Sequence, residues 1–463
     1  MKSSKKLPQQ KCRGSALIVA MIFVLVFSAL AVSMAAISGT STQIAENQRT
    51  ANGARACAES GLEVTRYWLN NLSIPGTTGP SQRLQQIADT LQNTLSSNGI
   101  TNVVSSFDGS SITIPSVTLD SADEQSFSAV ITQIDSETLQ IDVTGTRGSL
   151  TRTIRAHYKF ATRAHTVFDY GVATKGPLAL SGNVELETVN VSVGSSVYIE
   201  STNSNLALSI TGNSQVAGDV GIVNPIANVY LQGAKAGIGG QTGQAAIDNH
   251  VSFGSSPTEF PAPNPSYFEP YVTGIVDSAT DTSDVTLDNV RIAAGTNPTF
   301  SGQVILRGIV FVEAPNTISF NGNTTITGII VGDGDVQDNS GTNQLNFVGN
   351  VTSYPVTELP QEDKFAAIRT QTGTFLMAPG FSASFGGNFH TLNGVIAANG
   401  INFHGNAGGT VNGSIINYSQ TQMELTGNSD LRINASGTTN MPAGFTPEVI
   451  LRYDPTAYSE VAF

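Results

Sequence analysis

The chain has 463 residues, a formal net charge of −13, and only 12% charged residues. Phosphate recognition needs clustered Lys and Arg, so this composition excludes a nucleic-acid partner. Forty-six glycines among many Asn, Ser and Thr favour turns and strands, and the length predicts two or three domains.

Residues 1–14 form a basic leader, with Lys2, Lys5, Lys6, Lys11 and Arg13 and no acid among them. From Ser15 no charge occurs until Glu46, and no proline lies between Pro8 and Pro75, so nothing blocks a helix on steric grounds. Residues 15–37 make the membrane segment. The stretch 16–37 holds twelve Leu, Ile, Val and Phe. At a few tenths of a kcal/mol each near a bilayer centre, they favour insertion by about 5 kcal/mol. The basic leader predicts a cytoplasmic amino terminus and a single pass through a membrane, with all that follows on the far side. Residues 38–72, rich in Ala, Glu, Gln, Arg and Leu, continue the same helix into water. An ordinary single-pass anchor is a second reading. A cleaved secretory signal with Ser33-Met34-Ala35 as its small-x-small site is a third, although the apolar core exceeds the roughly 7–15 residues usual there. Cys12 and Cys57 flank the span on opposite sides and cannot pair within one chain. Cys12 precedes the apolar run, which does not suit lipid attachment, and Cys57 reads as a small helix residue.

The turn cluster at 75–80 ends the rod. Ser81 then predicts the cap of a short helix with Leu84, Ile87, Leu91 and Leu95 on one face. Period-two alternation predicts three antiparallel strands, beginning at Phe127, Leu139 and Leu150, joined by residues 135–138 and 146–149. These elements define an α+β headgroup over residues 73–162.

Internal repeats organise residues 163–440. The pattern apolar-x-Gly-Asn occurs seven times, ending at Asn183, Asn213, Asn323, Asn350, Asn388, Asn406 and Asn428, and Phe300-Ser301-Gly302-Gln303 is a variant copy. A second pattern, apolar-x-Gly-apolar, recurs around Gly308, Gly328 and Gly394, with a near copy at Gly413. Both share a period of about 20 residues, which predicts a parallel β-helix with Gly or Asn at its corners and an Asn ladder along its axis. A β-sandwich with Gly-Asn turns is the other reading. Insertions are expected at 257–270 and 355–370, the second with a short helix, and residues 441–463 are expected to form a cap or tail.

Candidate chemistry is sparse. Asp333, Asp335 and Asp338 form the best acidic cluster, a weak Ca²⁺ candidate without the 12-residue loop pattern. Asp277, Asp281, Asp284 and Asp288 are more dispersed. His390 and His404 sit 14 residues apart, an interval unlike the repeat. No nucleophile elbow, zinc-protease or phosphate-loop motif is present in the sequence. The expectation is a protein without catalytic residues, metal or cofactor.

Two stretches carry a family resemblance. Arg13-Gly14-Ser15-Ala16-Leu17 before the apolar helix, and Ala58-Glu59-Ser60-Gly61-Leu62-Glu63 near its end, resemble the amino-terminal region of PilX-type minor pilins and the related pseudopilin K of type II secretion. The resemblance covers about the first 70 residues. It implies cleavage by a prepilin peptidase between Gly14 and Ser15, methylation of the new terminus, and a helix packed on a short antiparallel sheet. It also implies other pilin or pseudopilin subunits as partners. Leu17, Ile18, Ile22, Phe23, Leu25, Phe27 and Leu30 would face lipid in the precursor and sister helices in a fibre. Ala58, Glu59, Gly61 and Leu62 would be the family motif. The fifth mature position, glutamate in most pilins, is Val19 here. The combined expectation is an α+β pilin-like unit followed by an all-β solenoid with a surface or polysaccharide ligand. A membrane-anchored adhesin unrelated to pili and a β-helical carbohydrate-active enzyme are the alternatives.

Overall fold

The computed structural model describes residues 15–463 apart from 71, 73, 98, 189–196, 203, 339, 435–440 and 462–463. It divides into two units, one of Met1–Ile74, Thr78–Ala161 and Ile450–Phe463, the other of Pro75–Thr77 and Thr162–Val449.

In the first unit, helix α1 spans Ser15–Asn70, 56 residues without a break, or roughly 84 Å at 1.5 Å per residue. It is exposed all round until about Thr50 and gains buried positions from Ala54 onward. Helix α2, Arg83–Ser97, buries the expected face of Leu84, Ile87, Leu91 and Leu95. Ser81 does not cap it: a 3-10 turn, Pro80–Gln82, leads into the helix and places Ser81 inside that turn.

The sheet of this unit is larger than the expected three-stranded meander. The three anticipated strands are present as Gln125–Gln133, Thr138–Arg147 and Leu150–Arg163. They lie within a six-stranded sheet that also contains Ser106–Phe107, Ser111–Asp120 and, beside Leu150–Arg163, the strand Glu448–Val461. The end of the chain, expected as a cap or tail, is therefore a sheet strand. Lys159 pairs with Asp454 and Arg152 with Glu460, so the two neighbours run in opposite directions.

The second unit contains three sheets, of nine, seven and twelve strands, around a shared apolar core. Among the described residues, the pairings within these sheets are parallel except for the short pair Gly237–Ile238 and Gln241–Thr242 in the seven-stranded sheet. All eight copies of the apolar-x-Gly-Asn or Gln pattern close strands of the nine-stranded sheet, and their apolar residues stack inward in register. Phe300, Phe320, Phe347, Phe385 and Phe403 form one column, with successive ring centroids 5.2, 4.9, 4.7 and 4.9 Å apart and near-parallel planes. The glycines that follow form a column of their own. A Cβ on Gly182 or Gly212 would meet the carbonyl oxygen of the glycine one strand over at 2.5 Å, too close for any side chain.

The strands are not stacked in chain order. Leu178–Gly182 is the third strand from one edge of the nine-stranded sheet, and Leu206–Gly212 and Asn228–Gln232 extend it to that edge. The chain resumes at the opposite edge with Thr299–Phe300 and works back until Met423–Gly427 pairs with Leu178–Gly182. Helix α3, Gly243–His250, touches terminal strands of all three sheets at the first edge and caps the core there. At the other edge, Asp284 accepts a hydrogen bond from the Gln303 N–H at 2.7 Å and Thr282 donates to the Thr299 carbonyl at 2.8 Å.

The two expected insertions have a shared role. Phe260 and Phe268 from the first, Phe365 and Ile368 from the second, and Phe445 from the segment after 440 bury the outer face of the twelve-stranded sheet against Tyr198, Phe311, Met377 and Tyr418. The return of the chain across the stack is stabilised by this second apolar layer.

Candidate functional site

The residues singled out by the sequence fall at three places. The first is the free part of α1. Leu17, Ile18, Ile22, Phe23, Leu25, Phe27 and Leu30 are all exposed, as is Val19. The most apolar 18-residue window of the helix has mean hydropathy 2.8 and no residue buried within the protein. In water such a surface would be strongly unfavourable at about 25 cal/mol per Å², so it needs lipid or apolar partners. Ser15 is helical and is the first described residue, while Gly14 and the basic leader lie outside the described residues.

The second place is the motif near the end of the helix, where the sequence pattern acquires a physical reason. Ala58 and Leu62 are buried, and Glu59 is exposed. A Cβ on Gly61 would strike the Phe127 ring at 2.5 Å, so glycine is what lets the helix lie on the strand Gln125–Gln133. From the other side, Gly145 of the strand Thr138–Arg147 abuts the backbone of Ala54 and Ala58. Thr65 returns its hydroxyl to the Gly61 carbonyl at 2.8 Å. On the outer side, Glu59 accepts from Arg55 Nε at 3.1 Å and from the Tyr458 hydroxyl at 3.3 Å. The hydrogen bonds to Tyr458 and Glu59 raise the Arg55 pKa. Arg66 lies 4.7 Å above the Tyr453 ring. Sequence reasoning missed the two tyrosines, because their strand is distant in the chain.

Cys57, between Ala54 and Ala58 in this packed stretch, is 2% exposed. Burial pushes its thiol pKa up, opposed by the charge of Arg147 and a hydrogen bond from the Ser126 backbone. A high thiol pKa and lack of access make it a packing residue.

The third place is the large unit, where the acidic candidates do not converge. Asp333 accepts from the Ala314 N–H at 2.7 Å, Asp335 from the Gln337 N–H at 2.9 Å, and Asp338 from the Ser340 N–H at 2.8 Å. Each serves the backbone of a turn. Burial raises the Asp333 pKa, and the Ser340 contacts lower that of Asp338. Asp277 and Asp281 likewise serve their own turns, and Asp288 pairs with Arg307 at 2.6 Å and Lys364 at 2.9 Å. Among the described residues, the carboxylates close enough to share an ion are Glu185, Glu187 and Asp430. Arg432 already supplies counter-charge there, 3.5 Å from Glu187 and 3.2 Å from Asp430. His404 contacts the Ser384 hydroxyl at 3.1 Å, and His390 lies on an open polar groove with Asn388 and Arg432.

The anticipated asparagine ladder is present in pieces. Asn213 donates to Asn183 and Asn183 to Asn428, each at 2.8 Å, and Asn350 donates to Asn323 at 3.1 Å. A buried set elsewhere was not anticipated. Asn417 accepts from the Gly400 N–H at 2.9 Å and donates to Thr174 at 3.0 Å, and Asn316 accepts from the Asn297 N–H at 2.7 Å.

The model of the PilX N-terminal family matches residues 13–63, so the amino-terminal segment of the chain is pilin-like. No curated protein matches the chain. Among solved structures, the competence-associated pilin ComZ from Thermus thermophilus aligns at 12% identity and TM-score 0.22, covering 89% of this chain and 97% of that one. An ice-binding protein from the Antarctic ascomycete Antarctomyces psychrotrophicus aligns at 11% identity and TM-score 0.17, covering 58% and 94%. A glycosylated ice-binding protein, LeIBP, from an Arctic yeast aligns at 12% identity and TM-score 0.18, covering 58% and 93%. Scores this low do not establish a shared fold.

Proposed function

We propose that this chain is a minor pilin or pseudopilin-like subunit of a type IV pilus or related secretion machine. In this reading, prepilin peptidase cuts between Gly14 and Ser15, and the new terminus is methylated. The precursor waits in the inner membrane with its leader cytoplasmic and its body periplasmic. Its apolar helix then moves from lipid to sister subunits, which keeps the greasy surface out of water throughout. The observation that carries the reading is the division of α1 into a bare apolar part and a part docked on its own sheet, joined without a break and bearing the PilX N-terminal match.

We read the three parallel sheets as the faces of a β-helix with permuted strand order, supported by the in-register columns of Phe and Gly. Its role is display for adhesion or assembly, and its bulk favours a fibre tip or a low-abundance initiation complex. No catalytic role is proposed, since the candidate carboxylates serve backbone N–H groups and ion pairs. Mass spectrometry of the mature protein tests the central claim. A chain beginning at N-methylated Ser15 supports it. One beginning at Met1 or near Ala36 transfers the assignment to a membrane-anchored adhesin or a β-helical carbohydrate-active enzyme.

A further inference from the structure

The outer faces of the three sheets in the large unit differ in kind. That of the twelve-stranded sheet is covered by Phe260, Phe268, Phe365 and Phe445. That of the seven-stranded sheet carries Glu185, Glu187, Asp430 and Arg432. The outer face of the nine-stranded sheet carries an in-register row that starts at Thr299 and passes through Ser319, Asn346, Ser384 and Asn402 to Glu424. Beyond Glu424 the row continues through Ala179 and Ser209 to Tyr230, which ends it. A flanking row, Thr317, Gln344 and Ser382, repeats the same chemistry. Glu424 is the single charge in the full row of a chain whose net charge is −13.

We infer that this face docks a neutral, crystalline polysaccharide, of the class of cellulose or chitin. The inference rests on the reading of the large unit as the displayed part of an anchored chain. Three physical features select this partner. Ser, Thr, Asn and Gln side chains both donate and accept hydrogen bonds, as sugar hydroxyls do, so either side can satisfy the other. The row carries no cation to attract an anionic polymer, and the acidic remainder of the protein repels one. The rows lie on a continuous sheet about 40 Å across, nine strands at roughly 4.8 Å each. A single sugar needs a concave site, whereas an extended repeating surface is matched by many weak contacts made together. Short Ser and Thr side chains have few rotamers, so they lose less conformational entropy on contact than long ones would.

The test uses the full chain in detergent micelles, incubated with suspended microcrystalline cellulose, with chitin and with insoluble calcium alginate as the anionic polymer. The double variant Asn346→Arg/Ser384→Arg places two long cations on the row, and Thr410→Arg places one on the seven-stranded sheet as a control. Circular dichroism checks that all three proteins are folded. The expected result is retention of the wild-type chain and the control on at least one of the two glycans, with roughly tenfold weaker retention of the double variant. Retention on neither glycan, equal retention of the double variant, or retention confined to an anionic polymer overturns the inference. Thermal hysteresis in freezing solution without glycan retention also overturns it and assigns the face to ice. None of these outcomes bears on the mature amino terminus, so the pilin reading stands or falls separately.

Discussion

Gly145 and Ala58 meet backbone to backbone: a Cβ on the strand glycine would lie inside the contact distance of the helix amide nitrogen. This close approach, with Gly61 under Phe127, seats the second part of α1 on its sheet. Gly145→Val has no room and must push helix and sheet apart, at a cost of about 3 kcal/mol or more. The expected outcome is faster amide exchange and proteolysis across residues 54–70, with the large unit unchanged. Unaltered protection of that stretch would show that the contact does not hold the helix.

Phe347 sits within the aromatic column, between Phe320 and Phe385. Phe347→Ala leaves a cavity that the strands on either side cannot close, because their register is fixed by parallel pairing. A loss of about 3–5 kcal/mol is expected. A denaturant titration of the full chain in detergent, read by amide exchange in the strands flanking residue 347, measures it.

Thr324 offers the opposite case. It occupies an inward column between Val304 and Val351, is 1% exposed, and its hydroxyl has no hydrogen-bond partner. Thr324→Val removes an unsatisfied polar group without changing the shape of the site. The unfolding midpoint should rise by the equivalent of about 1 kcal/mol.

The pairing of Asp454 with the rest of its sheet predicts an acid response. Hydrogen bonds from Thr456 and Lys159 lower its carboxyl pKa to about 2. Because the folded value is depressed, the stabilising contribution is fully present above the ordinary carboxylate range and is lost as pH falls toward 2. Amide exchange in residues 450–461 should therefore quicken between about pH 4 and pH 2. In Asp454→Asn that part of the pH dependence should be absent.

Much of this was legible because it is local or repeats. The unbroken apolar run of α1, the helical face of Leu84, Ile87, Leu91 and Leu95, and the apolar-x-Gly-Asn strands all announce themselves within short windows. Ser111–Asp120 escaped because Pro115 breaks the alternation, and the register shifts there between Ile114 and Val117. Asn316 and Asn417 escaped because their neighbours share no common sequence pattern, although both are fully buried and each bonds the backbone of another strand or turn. The permuted strand order was not legible either, since each copy of a repeat fits equally well beside any other. At the motif, Gly61 was legible as a residue, but Phe127, the reason for it, was not.

Arg163 and Glu448 are ion-paired across a gap of 285 residues, where the strand Leu150–Arg163 meets the strand Glu448–Val461. A chain delivered amino end first therefore exposes one border of its early sheet for as long as the whole inserted unit takes to emerge. Among the described residues, that border is closed by the strand Glu448–Val461. Truncation anywhere before residue 448 would leave it as a template for another chain's strand, so completeness of the late product governs whether the early one behaves as a well-mannered monomer.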